Sequence, residues 1–144
     1  MKNTSQSFRF VLSMESIFNN FPLSAAVTVP PASRLIITSG HVGMGPDGKL
    51  TQGLEGQISM AFENLGKALV AAAPQLDSST IWQHVYQINM YLAGELTQDI
   101  IETVFRVHRQ VMKDCEPAST MVGVHSLAFG SLFEVSVVCA VPEF

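Results

Sequence analysis

Residues 54–73 read LEGQISMAFENLGKALVAAA, and residues 81–92 read IWQHVYQINMYL. Apolar residues recur in the first stretch every three or four positions, and Pro74 lies just beyond it, which predicts an amphipathic helix. The second stretch is rich in β-branched and aromatic residues and alternates in polarity, which predicts a long strand. Helices that follow strands in a chain with many strands favour one sheet covered on one face by the helices.

Further elements flank this helix and this strand. Thr97 is predicted to cap a second helix, which ends before Glu116 and Pro117. The alternating residues 8–12 predict a first, half-buried strand. Further strands are predicted at residues 25–29, 35–39, 119–126 and 133–141. This order of elements predicts an α+β fold in which two helices cover one face of the sheet.

Length and composition predict one domain that associates with copies of itself. The chain has 144 residues, so residues 1–144 are expected to form a single domain, with residues 1–20 as an N-terminal extension that carries the first strand. Only 14% of the residues are charged and 47% are hydrophobic. So few charges leave apolar surface that one subunit does not cover, which predicts a homo-oligomer.

The charge balance and the apolar runs exclude two classes of partner. Eight Lys and Arg residues against twelve Asp and Glu residues give a net charge of −4. A nucleic-acid binder normally needs a clustered basic face, so we expect no nucleic-acid partner. No apolar run approaches the ~18 residues of a membrane-spanning helix, and the N-terminus lacks the apolar core of a secretory signal. We therefore expect a cytoplasmic protein without membrane contact.

The spacing of cysteine and histidine residues predicts no metal site. Cys115 and Cys139 are too few for a disulfide framework and have no metal-ligand spacing. The four histidines are not paired at ligand spacing either: His41, His84, His108 and His125. A glycine-rich phosphate loop is also missing from the sequence, and we expect no cofactor.

Glu134 is the strongest candidate for a functional residue on chemical grounds alone. It stands in the apolar strand segment FEVSVVCA, where a carboxylate is costly unless it is hydrogen-bonded or functional. Glu102 shares one helical face with Arg106 and Arg109, so an ion pair four residues apart is its simplest role. His108 lies on the apolar stripe of the same helix and is predicted to pack in the core.

Five short segments together resemble the RidA/YjgF reactive-intermediate deaminase family, over about residues 21–141. They are IITSG at Ile36–Gly40, the turn at Gly45–Leu50, AFENL at Ala61–Leu65, Pro117-Ala118-Ser119, and Phe133-Glu134-Val135. The resemblance implies a chorismate-mutase-like α+β fold, with a mixed sheet and two helices on one face. It also implies a homotrimer with small-molecule sites in the clefts between subunits.

The resemblance also assigns the site residues. Deaminases of this family hydrolyse enamine or imine acids to 2-keto acids and ammonia; an arginine pairs with the substrate carboxylate, and a glutamate in the last strand orients the attacking water. Ser119 stands at the arginine position, the glutamate is retained as Glu134, and an asparagine of the second helix corresponds to Glu102. These assignments make Glu134 and Glu102 the candidate catalytic residues.

The remaining candidates are ligand-binding residues. Ser39 matches a strand serine of the family, and the resemblance places it with Gly40 beside a ligand oxygen. Leu23 stands where the family has a tyrosine, and Met121 where a cysteine is common. Thr120 lies between Ser119 and Met121 in the same segment. Strand alternation predicts one pocket formed by residues 119, 121 and 123 together with residues 134, 136 and 138.

The departures from the family pattern leave three hypotheses. Ser119 cannot pair with a substrate carboxylate, and a pocket holding Glu102 and Glu134 would repel one, so standard 2-imino acid deamination is disfavoured. The first hypothesis is a divergent enzyme in which Glu134, with or without Glu102, is the general acid/base for hydrolysis, tautomerisation or ring closure of a small imine, enamine or carbonyl compound. The second is a non-catalytic ligand-binding trimer. The third is a nuclease, which the acidic charge balance disfavours.

Overall fold

The computed structural model describes residues 7–8 and 20–143. Seven strands lie within these residues: β1 (Ser7–Phe8), β2 (Ala26–Val27), β3 (Ser33–Ile37), β4 (His41–Val42), β5 (Val85–Ala93), β6 (Ala118–Val124) and β7 (Phe133–Pro142). Two α-helices lie within the same residues, α1 (Leu54–Ala72) and α2 (Gln98–Met112). Of the predicted extension and first strand, only β1 and residue 20 fall within the described residues.

Five of these strands form one mixed sheet. Their spatial order is β3–β7–β5–β6, and β4 pairs with β7 beyond the end of β3. Strands β5 and β6 run parallel, whereas β3, β4 and β5 all pair antiparallel with β7. Strands β1 and β2 form a separate two-stranded ribbon. The prediction of an α+β fold with a mixed sheet is confirmed.

Both helices pack on the same face of this sheet. The Phe62 ring of α1 stacks on Phe133 of β7 at a centroid distance of 6.0 Å and meets His108 of α2 edge-on at 6.3 Å. The hydroxyl of Thr97 accepts a hydrogen bond from the backbone N–H of Ile100 at 3.3 Å, so the predicted cap of α2 is confirmed. None of the helices among the described residues is long and apolar enough to cross a membrane.

The other side of the sheet, called the open face below, carries no helix of residues 20–143. Along β7, Phe133 and Val135 are buried against the helices, while Glu134 and Ser136 point to the open face and are half-buried. Leu35 and Ile37 of β3 lie on the open face and are 53% and 73% exposed. Exposed aliphatic side chains of this size are costly in water, in line with the oligomer predicted from the low charge content.

The start of the strand predicted at residues 81–92 differs from the prediction. Residues Ile81–His84 form a 3₁₀ turn, and the strand begins only at Val85. The Asp77 carboxylate accepts a hydrogen bond from the Ser79 N–H at 2.8 Å, and the Asp77 carbonyl accepts one from the Ile81 N–H at 3.0 Å. These bonds close a turn that continues past Ile81, which the alternation in polarity does not reveal.

Candidate functional site

Glu134 and Gly40 meet on the open face. Glu134 is half-buried and pairs with Val42 of β4 on one side and with Tyr91 of β5 on the other. Its carboxylate occupies the space above the Cα of Gly40, because a Cβ built on Gly40 would overlap Oε1 and lie 2.7 Å from Cδ. A glycine at position 40 is therefore what allows the carboxylate to lie there.

A β-bulge brings Gly40 to this position. Ile37 pairs with Val138 and His41 pairs with Val135, so residues 38–40 face only two residues of β7. The Thr38 hydroxyl accepts a hydrogen bond from the Val137 N–H at 3.0 Å and so replaces a backbone partner in the ladder. Bulges of this kind bend a strand and redirect its side chains, here at the junction of β3 and β4.

His41 lies beside this junction and interacts with Glu134. Burial lowers the pKa of His41 below its ordinary value of 6.5, and the negative charge of Glu134 acts in the opposite direction. The imidazole is therefore mostly neutral at neutral pH while it remains close enough to feel the carboxylate. Sequence reasoning left the role of His41 open.

Strand register places further polar residues next to Glu134 on the open face. Tyr91 of β5 lies between Glu134 and Val122 of β6, and the next row places Asn89 between Ser136 and Thr120. The sequence prediction included Thr120 but missed Tyr91 and Asn89. The alternation of β5 puts both on one face, but only the pairing with β7 shows that this face carries Glu134.

The open face has an unusual charge pattern. Among the strand residues of the described sheet that point to this face, Glu134 is the only charged one. The described residues also contain no group of three metal-ligating side chains. The arrangement therefore offers one carboxylate, a phenol and neutral amide and hydroxyl groups, which suits proton transfer and hydrogen bonding to a ligand without a negative charge.

A family comparison agrees with this architecture. Residues 16–141 match the family described as Endoribonuclease L-PSP, the family that contains RidA and YjgF. The chain belongs to this family. No curated protein sequence matches the chain.

Solved structures of the RidA family share the fold. The Rid family protein YyfB from Yersinia pestis has a TM-score of 0.78 at 19% identity, over 94% of this chain and 98% of that chain. RidA from the Antarctic bacterium Psychrobacter has a TM-score of 0.64 at 22% identity, over 83% and 94%. TdcF from E. coli, solved with bound serine, has a TM-score of 0.61 at 16% identity, over 83% and 93%. At these identities the likeness shows the RidA-like fold alone.

Ser119 and Met121 lie on the opposite face of the sheet from Glu134. Ser119 pairs with Ile88, and Met121 pairs with Met90. Ile88 and Met90 are fully buried under the helices. Met121 itself packs against the core. The prediction of a single pocket is therefore wrong within one chain. The β5–β6 register turns residues 119, 121 and 123 toward the helices, whereas residues 134, 136 and 138 point to the open face. Strand β5 also separates β6 from β7.

Leu23 lies near Ser119 rather than near Glu134. Ser24 forms an isolated parallel bridge with Ala118, and its N–H donates to the Pro117 carbonyl at 3.1 Å. The Ser24 hydroxyl donates to the Glu116 carbonyl at 2.6 Å. These bonds hold the Leu23 segment along the outer edge of β6, where Leu23 packs against the core. Of the predicted ligand-binding residues, Gly40 thus adjoins Glu134 and Ser39 precedes Gly40 in the chain, whereas Leu23 and Ser119 lie at the edge formed by β6.

Glu102 does not join Glu134 in this chain. It is exposed on α2, on the helix side of the sheet, where it accepts a hydrogen bond from the Gln98 amide at 2.9 Å. The expected ion pair with Arg106 is wrong, because Arg106 instead binds Glu55 of α1 at 2.9 Å. Within one chain the sheet separates the two carboxylates, so a single subunit does not bring Glu102 and Glu134 into one pocket.

The helix layer holds two features that are separate from the Glu134 site. His108 is fully buried, as predicted, and neither of its ring nitrogens has a hydrogen-bond partner among the described residues. Burial lowers its pKa to about 4, and the backbone of Cys115 acts in the opposite direction. A cavity of about 590 Å³ lies between α1, Trp82 and Val111, and none of its lining residues comes from the sheet.

Proposed function

We propose that this protein is a divergent RidA-family enzyme that performs acid/base chemistry on a small imine, enamine or carbonyl compound. The observation that carries the proposal is the Glu134 carboxylate, which lies above Gly40 and is the only charged side chain among the described strand residues of the open face. A carboxylate in this setting can take a proton from water and return it to a leaving group. Hydrolysis, tautomerisation and ring closure all need such a transfer.

The substrate in this proposal carries no carboxylate. A bidentate arginine contact both binds a carboxylate and orients it, and a charged hydrogen bond is worth about 1.5–3 kcal/mol. Ser119 offers no charge, and the guanidinium groups of Arg34 and Arg109 donate to backbone carbonyls of Ala72 and Asn20. The charge of Glu134 would moreover repel a 2-imino acid. These features favour a neutral or cationic substrate over a 2-imino acid.

The proposal includes a homotrimer whose ligand sites lie between subunits. Leu35, Ile37 and Val122 leave the open face apolar and exposed around Glu134. A second subunit covering this face would bury these side chains and exclude water from the carboxylate, which strengthens its interactions with a ligand. The partners in this proposal are the small-molecule ligand and other copies of the chain, and the chemistry requires no cofactor.

The test compares Glu134→Gln with Glu102→Gln. The uncharged imine N-benzylidenemethylamine and the anionic enamine 2-aminoacrylate serve as substrates, and loss of imine absorbance and ammonia release are measured. We expect hydrolysis of the uncharged imine to fall by about 10²–10⁴-fold in Glu134→Gln and to stay unchanged in Glu102→Gln. Turnover of 2-aminoacrylate by the wild-type protein would contradict the substrate class, and an active Glu134→Gln variant would contradict the role of Glu134.

A non-catalytic ligand-binding protein of the same family is the second candidate. It is favoured by the position of Glu102, which leaves Glu134 as the single carboxylate among the described strand residues of the open face. Calorimetry with benzylamine and with serine, the molecule bound in the TdcF structure, separates the two functions. Benzylamine binding that depends on Glu134, together with no turnover of any imine, would establish the binding function. We expect no binding of serine, because its carboxylate meets no cation among the described strand residues of this face.

A further inference from the structure

Tyr91 is the residue directly opposite Glu134 in the sheet. The two are paired across the antiparallel β5–β7 ladder and point to the same open face. Side chains at such positions start about 4.5–5.5 Å apart at their Cβ atoms. We infer that Tyr91 is a second catalytic residue, whose phenol donates a proton to the substrate nitrogen while Glu134 accepts one from water. This inference rests on the proposed function and adds a residue that the family resemblance does not assign.

The orientation of Glu134 leaves room for a substrate between the two groups. Strand β7 has β4 on one side and β5 on the other. The carboxylate lies over Gly40, on the β4 side, and so leans away from Tyr91. A ligand that lies across β7 and β5 would therefore contact the carboxylate at one end and the phenol at the other. Imine hydrolysis needs such an arrangement, with an acid at the nitrogen end of the C=N bond and a base at the carbon end.

Tyr91 is available for this role because the core does not use it. Its ring is half-buried on the open face, whereas Met90 and Leu92, its neighbours along β5, are buried beneath the helices. Apart from Glu134 and Asn89, its neighbours on the same face are small or aliphatic, with Ala93 next along β5 and Val122 across on β6. Tyr91 is thus the only strand residue with an aromatic side chain on the open face of the described sheet.

The two groups complete a balanced hydrolysis. Glu134 takes a proton from water as the water oxygen forms a bond to the imine carbon; the C=N π electrons move to nitrogen, which takes the phenol proton of Tyr91. A neutral carbinolamine results. In the second step the protonated Glu134 donates to nitrogen, the carbinolamine hydroxyl returns its proton to Tyr91, and the C–N bond breaks. The products are a carbonyl compound and an amine, and both residues regain their starting forms.

Glu134 and Tyr91 together favour a substrate whose imine nitrogen is neutral or cationic. The negative carboxylate attracts a protonated nitrogen, and the face of an aromatic ring also attracts cations. A neutral imine needs a proton from Tyr91 when water adds. A permanently cationic iminium ion does not, because its nitrogen already accepts the π electrons without protonation.

This difference gives a specific experiment with the full chain. The variants are Tyr91→Phe and, as a matched control, Tyr86→Phe, which removes the hydroxyl of the other tyrosine, buried near the start of the same strand. The substrates are N-benzylidenemethylamine in mildly alkaline buffer, where most of it is unprotonated, and the iminium ion N-benzylidenepyrrolidinium. Steady-state kcat and KM are measured for both, and thermal melting confirms that each variant is folded.

We expect Tyr91→Phe to lower kcat for the neutral imine by about 100-fold with little change in KM, and to leave the iminium ion nearly unaffected. Tyr86→Phe should match the wild type on both substrates, and Glu134→Gln should be impaired on both. Equal losses of Tyr91→Phe on the two substrates, or none, would overturn the role of Tyr91 and leave Glu134 in place. A wild-type protein inactive on both imines would overturn the proposed function and this inference with it.

Discussion

His108 makes the stability of this protein sensitive to mild acid. The side chain is fully buried, and neither ring nitrogen has a hydrogen-bond partner among the described residues. Burial lowers its pKa from 6.5 to about 4. Because the folded state disfavours the imidazolium ion, the unfolded chain binds a proton at this residue at a higher pH than the folded chain does.

The sign and size of the effect follow from this pKa difference. Above pH 6.5 both states hold a neutral imidazole and His108 contributes no pH dependence. As the pH falls from 6.5 toward 4, only the unfolded chain takes up the proton, so the free energy of unfolding decreases. Each pKa unit corresponds to about 1.4 kcal/mol, which makes the full loss about 3 kcal/mol. Below pH 4 the loss levels off.

The assay is urea unfolding of the wild type and of His108→Leu at a series of pH values and one protein concentration. The variant lacks the titrating group, so we expect its stability to change by about 3 kcal/mol less than that of the wild type over this window. At neutral pH we expect His108→Leu to be at least as stable, because a buried polar group without a partner costs about 1–3 kcal/mol.

Two results would refute this reasoning. Parallel pH profiles of the wild type and His108→Leu would show that His108 does not titrate abnormally. A strongly destabilised variant at neutral pH would show that the imidazole has a hydrogen bond that it loses on substitution. His41→Gln is measured alongside, because burial also lowers the pKa of His41. Its contribution to the pH dependence of stability therefore has the same sign as that of His108 and must be separated from it.

Three further predictions test the site, the thiols and the assembly. Gly40→Ala should displace the Glu134 carboxylate and lower the rate of N-benzylidenemethylamine hydrolysis. The fold should be retained, because the atoms that overlap the new Cβ are the flexible end of a side chain. Circular dichroism and kinetics check this, and full activity would contradict the placement of Glu134. Cys115 and Cys139 should resist a disulfide reagent at neutral pH in the folded protein and react after unfolding in urea, because burial raises the pKa of each thiol to about 12. Rapid labelling of the native protein would contradict this prediction. Light scattering should report about three times the chain mass of 15.6 kDa, and a monomer at micromolar concentration would exclude a site between subunits.

Local sequence determined the helices and most of the strands. The three- to four-residue apolar period from Leu54 onward and Pro74 beyond it were enough to predict α1, and Thr97 marked the start of α2. These signals act within one or two turns of chain, so they can be read from neighbouring residues. The apolar neighbours of Glu134 along the chain likewise mark it as an unusual carboxylate, because a charge in such a segment is costly unless it is hydrogen-bonded or functional.

Tertiary structure decided which side chains share a surface. Ser119 and Glu134 were expected in one pocket, but the parallel register with β5 turns Ser119 toward the helices, and the antiparallel register of β5 with β7 brings Tyr91 to Glu134. A shift of one residue in register moves every side chain to the other face, and no local signal encodes the register between strands that are distant in the chain. For the same reason the partner of Arg106 is Glu55 of another helix rather than Glu102 of its own, since long side chains bind whichever opposite charge the packing brings near.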